Sequence, residues 1–259
     1  MSEIRISRRR ILVAAGGLVS AGIVAANWRR LGDSQSYQPL LDAGENFNRV
    51  AQRIALHGRP LAREFTLDQL SPIHPTNGGF GALYVAPDPA YDRMVAERFV
   101  NWRLSIDGLV RRTMKLSLED IRRMPVRSQI TMHSCDEGWS AIGQWTGVPL
   151  AWLLAQVEPT AGARFVVFHC MDTIAGQKVY GSLDMLDAVH PQTILAHGFN
   201  GGPLPVGHGA PLRLRMELQI GYKQLKHIDR ISVVSSLASL GKGRGGLFED
   251  YGYQWYAGL

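Results

Sequence analysis

The chain is poor in the residues that announce common metal and disulfide chemistry. Its 259 residues hold only two cysteines, Cys135 and Cys170, and they form no Cys-x2-Cys pair. No Cys-x-x-Cys-His haem-attachment motif, iron–sulfur cysteine set or His-x3-His pair occurs. The chain therefore encodes no conventional zinc site and no covalently attached or iron–sulfur electron carrier. Low-complexity tracts and internal repeats are absent as well. Excess charge is local: six arginines against Glu3 in residues 1–30 account for five of the six formal positive charges. The remainder is nearly neutral, so net charge gives no reason to expect nucleic acid as a partner.

What is present begins with those arginines. Ser7-Arg8-Arg9-Arg10-Ile11-Leu12 opens an Ala- and Gly-rich apolar run to Ala26, shorter than the ~20 residues of a comfortable membrane span. Paired arginines before such a run read as a twin-arginine export signal over residues 1–30, placing the mature protein in the periplasm. Val24-Ala25-Ala26-Asn27 is an approximate cleavage site, and an uncleaved signal would act as a membrane tether.

Residues 31–98 read as an irregular segment packing on the core, with turn chemistry at Ser71–Gly79 and Ala86–Pro89. The rest, 99–259, reads as one α+β domain with a mixed β-sheet and short helices. Strands are expected at 102–106, 129–133, 164–169, 193–196, 212–216 and 228–234. Short helices are expected after Ser117, from Val148, and from a Ser182 cap to Val189. The aromatic tail Tyr251–Tyr256 is expected to pack on the domain.

The 129–133 strand delivers Cys135 in His133-Ser134-Cys135-Asp136-Glu137-Gly138-Trp139-Ser140, followed by Trp145-Thr146-Gly147-Val148-Pro149-Leu150. A lone thiol beside glycine and tryptophan suits a soft-metal ligand in a tight apolar pocket. An inert buried cysteine, or a Cys135–Cys170 disulfide in the oxidising periplasm, are the alternatives. Downstream come Asn200 to Leu214, containing His208-Gly209-Ala210-Pro211-Leu212-Arg213, and then Gly221-Tyr222-Lys223-Gln224-Leu225-Lys226. Arg213, Lys223 and Lys226 together make a site for an anion.

In order and spacing these three blocks, spanning about 99–236, resemble the molybdopterin-binding domain of the sulfite oxidase superfamily. The bacterial periplasmic branch that contains protein-methionine-sulfoxide reductase catalytic subunits is the nearest likeness. The resemblance implies Mo-molybdopterin as cofactor, with Cys135 as the protein's metal ligand and catalytic residue. It implies cofactor contacts from Asn77, Cys170, His208, Arg213, Gln224, Leu225 and Lys226, with Lys223 an alternative to Lys226. Cys170 stands where the sulfoxide reductases have Thr, and a thiol is the weaker hydrogen-bond partner.

The implied activity is oxygen-atom transfer, reduction of S- or N-oxides ahead of sulfite oxidation. Sulfite would call for a cationic substrate mouth, for which Arg127 is the one candidate. Tyr180 is a position that could reach a substrate oxygen, while His133, His169 and His197 read as hydrogen-bonded structural residues. Electrons must come from another carrier, a cytochrome or haem-bearing membrane subunit. No sandwich domain of the dimerising kind is expected after residue 236, and a monomer follows from that. A cofactor-free interaction domain is the alternative of a different class.

Overall fold

A computed structural model of the chain describes residues 38–55, 61–76 and 89–259. The export signal and Asn77 lie outside the described residues. Two units divide the chain, 1–58 and 59–259. The first contributes one described helix, α1 (Gln38–Ala55). Among the described residues no helix is long and apolar enough to cross a membrane.

Among the described residues ten strands form two five-stranded sheets. Sheet I runs in the order β2 (Met114–Ser117), β1 (Arg103–Gly108), β10 (Ile228–Val234), β5 (Phe165–Ile174), β6 (Gln177–Asp184). Only its β1–β10 pair is parallel, with Ser105 opposite Arg230. Sheet II runs β3 (Arg127–Ser134), β4 (Ser140–Pro149), β7 (Ile194–Phe199), β8 (Gly202–Pro203), with β9 (Arg213–Arg215) also on β7. Short helices decorate them: α2 (Pro89–Ala96), α3 (Leu118–Arg122), α4 (Leu150–Val157), α5 (Met185–Ala188) and α6 (Leu247–Asp250). The α+β expectation of mixed sheets with short helices is met.

Local chemistry accounts for several boundaries. Ser117 Oγ accepts from the Asp120 N–H at 3.1 Å while Asp120 accepts from the Ser117 N–H at 2.9 Å, a reciprocal cap that starts α3. In α4, Leu150, Leu153, Leu154 and Val157 are buried at helical spacing, so one stripe docks on the core. Strand β1 alternates, and Leu104, Ile106, Val166, Phe168, Ile231 and Val233 of sheet I belong to the main apolar core.

Four expectations need correction. Residues 31–98 are not wholly irregular, since α1 and α2 lie within them. Strand β4 carries through Val148 and Pro149, where the helix is expected to begin, and β6 occupies part of the expected Ser182-capped helix. Ser182 is a strand residue whose hydroxyl donates to Gly245 O at 2.6 Å and accepts from Trp255 Nε1 at 2.9 Å. The helix cap is Asp184, accepting from the Asp187 N–H at 3.0 Å. The aromatic tail does pack as expected, through Trp255 and through Tyr222 Oη on Gln254 O at 2.5 Å.

The segment 61–76 lies along sheet II. Phe65 N donates to Ile130 O at 2.8 Å, and Ser71 N donates to Ile142 O at 3.0 Å. These bonds carry His74 onto the inner face of β4.

Candidate active site

Strand β3 reverses the usual rule: its buried positions are Gln129, Thr131 and His133, while Met132 faces outward. A polar interior is tolerable only where partners exist. Gln129 Nε2 donates to Glu217 Oε1 at 2.8 Å, and Glu217 receives both Arg215 Nε at 3.1 Å and Nη2 at 2.5 Å. Arg215 Nη1 lies 2.8 Å from His133 Nδ1. A guanidinium can only donate, so His133 accepts at Nδ1 and its ring proton sits on Nε2. That Nε2 is buried without a partner.

At the end of β3 the chain turns through Cys135, buried at 6% exposure. Its N–H donates to Trp139 O at 2.9 Å and its carbonyl accepts from Gly138 N at 3.2 Å, which pins the turn. The Glu137 N–H lies 3.4 Å from Sγ, a donor that favours the thiolate. Gly221 backs onto this turn: a β-carbon there would sit 3.1 Å from Cys135 Cα and 3.2 Å from His133 Nε2. The glycine thus lets the 221–226 segment close on the thiol.

The other wall is cationic. Arg213 and Arg215 stack on the Trp145 ring at 4.8 and 4.4 Å. Glu217 neutralises Arg215, but among the described residues no carboxylate is paired with Arg213. Its Nη1 donates to His208 O at 3.1 Å, and its buried Nε has no partner. Burial, then Arg215, hold its pKa well below the arginine range, against the pull of Glu217 and Cys135. Lys226 Nζ donates to Gly207 O at 2.9 Å. Burial and then Arg213 bring its pKa down to about 7, opposed by Asp172, Cys135 and Glu137. Gly209, at φ +107°, packs on Lys226, where a β-carbon would stand 2.8 Å from Lys226 Cβ. Cys135, His208, Arg213 and Lys226, predicted from three separate blocks, are therefore brought together.

Three imidazoles close the site. His74 lies 5.7 Å from His133 and 5.1 Å from His208, ring centre to ring centre, and makes edge contacts with Trp139, Trp145 and Phe199. Desolvation first, then neighbouring positive charge, lowers the pKa of His74 to about 3 and that of His208 to about 4. His133 is pushed down further for the same reasons. All three are neutral at physiological pH. His74, Arg215 and Glu217 carried no sequence signal of their own, whereas Trp145 stands in the block that follows Cys135.

Other named residues lie elsewhere or are already engaged. Lys223 forms a buried ion pair with Glu249, so its charge is cancelled and Lys226 is the available lysine. The Gln224 side chain is spent on backbone, donating to Met216 O and Gln219 O and accepting from Met216 N. Leu225 bonds Leu214 N through its carbonyl and covers Gly181 with its side chain. Cys170 is a buried thiol on β5, opposite Ile228, and no disulfide joins it to Cys135, so the disulfide alternative fails. Tyr180 donates to Asp250 Oδ2 at 2.6 Å on sheet I, which removes it from the site. Arg127 is paired with Glu64 and with Gln129 Oε1. His169 bonds Ser232 Oγ at 3.2 Å as a structural residue, whereas His197 Nε2 has no partner.

Among the described residues no three His, Cys, Asp or Glu side chains could hold a metal ion together. A metal bound by Cys135 must bring its remaining ligands with it. A profile of the oxidoreductase molybdopterin binding domain matches residues 92–239. YedZ1 of Azospira oryzae, named as a putative protein-methionine-sulfoxide reductase subunit, is 35% identical over 231 residues, 87% of this chain and 79% of that protein. This chain belongs to the molybdopterin-binding oxidoreductase family. Among solved structures, the sulfane dehydrogenase SoxCD of Paracoccus pantotrophus aligns with a TM-score of 0.48 and 23% identity, over 53% of this chain and 39% of that one.

The site fits the family's cofactor. Molybdopterin carries its own dithiolene sulfurs, which answers the lack of further protein ligands, and an anionic phosphate, which answers the uncancelled Arg213 and Lys226. The orphaned Arg213 Nε, His208 Nδ1 and His133 Nε2 are buried donors or acceptors, groups that ordinarily cost free energy unless a ligand engages them.

Proposed function

We propose that the chain is an exported molybdopterin enzyme that reduces S-oxides, or related N-oxides, by oxygen-atom transfer. One observation carries the reading: the buried Cys135 thiol interacts electrostatically with two cations, buried Arg213 and part-buried Lys226, and among the described residues Arg213 has no carboxylate paired with it. When bound, molybdopterin supplies a metal centre able to accept an oxygen atom from a substrate.

The chain's own residues do the rest. Cys135 offers its thiolate, held in place by the Trp139 and Gly138 backbone bonds. Arg213 and Lys226 hold the phosphate, and Lys226 must be protonated to do so. His208, and Cys170 and Asn77 by resemblance, face the pterin. Trp139, Trp145 and Phe199 with His74 wall the site with rings that exclude water and accommodate an apolar sulfide product.

Reduction, ahead of sulfite oxidation, is supported by the sulfoxide-reductase name of the Azospira relative. Pairing of Arg127 with Glu64 also counts against a cationic sulfite mouth. The paired arginines at residues 8–10 support twin-arginine export to the periplasm, with the uncleaved signal as a possible tether. Lacking haem and iron–sulfur motifs, the protein takes its electrons from a separate partner, a cytochrome or haem-bearing membrane subunit. A monomer suits the single site.

The test is turnover of methionine sulfoxide, dimethyl sulfoxide and an N-oxide with reduced viologen, beside sulfite oxidation. Wild type should reduce oxides, and Cys135→Ser should lose at least about a hundredfold in rate. Activity of the serine variant near wild type would remove the thiolate from the mechanism.

A further inference from the structure

Gly221 backs onto the Cys135 turn only while the 218–226 segment is held there. One hold is internal: the Gln224 side chain stitches the segment to Met216 and to Gln219 O. A second comes from residues 245–259. Ile220 N donates to Ala257 O, and Leu259 N donates to Leu218 O, each at 3.0 Å. Gln219 and Gly258 form an isolated β-bridge along the same seam, and Tyr222 Oη reaches Gln254 O.

An ion pair sits within this seam. Lys223 and Glu249 are each 3% exposed and paired with each other. Lys223 Nζ also lies 5.5 Å from the centre of the Trp255 ring. A buried pair often adds no stability over apolar residues of similar volume, whereas stranding one of its charges is severe. The local sequence is built to seat the pair. A β-carbon at Gly246 would collide with Glu249 Oε2, and one at Gly245, at φ +94°, would stand 2.6 Å from Trp255 Cδ1. Gly245 O and Trp255 Nε1 both bond Ser182 Oγ on β6, which ties this seat to sheet I.

Lys223 is thus deeply buried, yet its charge is spent on Glu249 and not on a ligand. What it determines is where its neighbours lie, Gly221 two residues before it and Lys226 three residues after.

We propose that Glu249 is a positioning residue of the cofactor site. By cancelling the Lys223 ammonium it keeps the 221–226 segment shut, with Gly221 on the Cys135 turn and Lys226 turned to the phosphate. The proposal rests on the site reading above and is independent of which oxide is reduced. Without the carboxylate, the ammonium must reach water, and the segment must lift from the thiol to let it.

Glu249→Gln strands the ammonium, whereas Lys223→Met with Glu249→Leu removes both charges and leaves an apolar seam. Molybdenum and released pterin are measured per folded chain after expression in a host that makes the cofactor. Both should fall about tenfold in the single variant and return to within about twofold of wild type in the double one. In cofactor-free protein, alkylation of Cys135 by iodoacetamide, separated from Cys170 by peptide mass, should quicken about tenfold in the single variant alone.

A pair that only stabilises the fold would shift the urea midpoint and leave cofactor content and alkylation of the folded protein unchanged. That outcome overturns the proposal, as does a double variant no better than the single one. If Glu249→Gln fails to fold, a folded double variant with a reactive Cys135 and little cofactor overturns it instead. Lys226→Ala separates this role from the phosphate assignment. Should Lys226→Ala keep its cofactor while Glu249→Gln loses it, the phosphate assignment falls and the positioning role stands. The opposite result removes the positioning role alone.

Discussion

Sheets I and II use opposite interiors. Sheet I buries Leu104, Ile106, Val166, Phe168, Ile231 and Val233 in a continuous apolar core. Sheet II gives Val148, Leu195 and Leu214 to that same core, but on its other side it has only a small apolar cluster with Trp145, Ile194 and Ala196, and it buries Gln129, Thr131, His133, Arg213 and Arg215 with Glu217 beside them. One sheet stabilises; the other carries a site that is costly to fold. Where Arg215 and Glu217 satisfy each other the cost is offset, but at Arg213 it is left standing until an anion arrives.

The contrast can be broken from either side. The largest effect on stability should come from sheet I: Phe168→Ala leaves a cavity worth about 3–5 kcal/mol. Urea melts of cofactor-free protein would show it, while cofactor per folded molecule stays unchanged. Arg213→Met should do the reverse. Removing a buried, uncancelled cation at similar volume should stabilise cofactor-free protein by about 1–4 kcal/mol. It should also weaken cofactor retention by roughly ten- to a hundredfold, from a lost charge-assisted contact of about 1.5–3 kcal/mol. A variant that loses stability and keeps its cofactor would place Arg213 in the structural half of the molecule.

The smallest effect concerns Asp172, whose pKa burial raises to about 6. The native state then holds a proton that the unfolded chain has already released, so stability falls as pH rises from about 4 to 6. Above pH 6 the whole penalty is present. Asp172→Asn should remove it, gaining about 1–2 kcal/mol at pH 7 and little at pH 4. Melting profiles at the two pH values check the sign.

Much of sheet I was legible because its signals are local. Strand β10 was expected at the residues it occupies, and Ser117 with Asp120 declared its helix. Strands β3, β7 and β9 of sheet II were expected too, but β4 of sheet II and β6 of sheet I hid themselves. In β4, Gly143 and Gly147 depress strand propensity, yet a β-carbon at Gly147 would stand 2.1 Å from Leu195 O on β7. The residue that spoils the pattern is the one the pairing requires. Ser182 looked like a cap because its polar partners, Gly245 and Trp255, lie more than sixty residues downstream.

The site divides the same way. Cys135, His208, Arg213 and Lys226 stood in ordered blocks that resemble a family. Lys223 and Lys226 were indistinguishable by spacing, and only Glu249, 26 residues from Lys223, separates them. Nothing near His74 hinted that backbone bonds to β3 and β4 would bring it to the rings around Cys135.

The parallel pairing of β1 with β10 joins positions 125 residues apart, as Ser105 and Arg230 or Asp107 and Ser232. Sheet I therefore stays incomplete until Val234 has left the ribosome. Its apolar strands wait uncovered through most of synthesis, a long exposure of the kind that invites chaperones. A polypeptide that closes this late is poorly suited to being threaded outward while it is still being made.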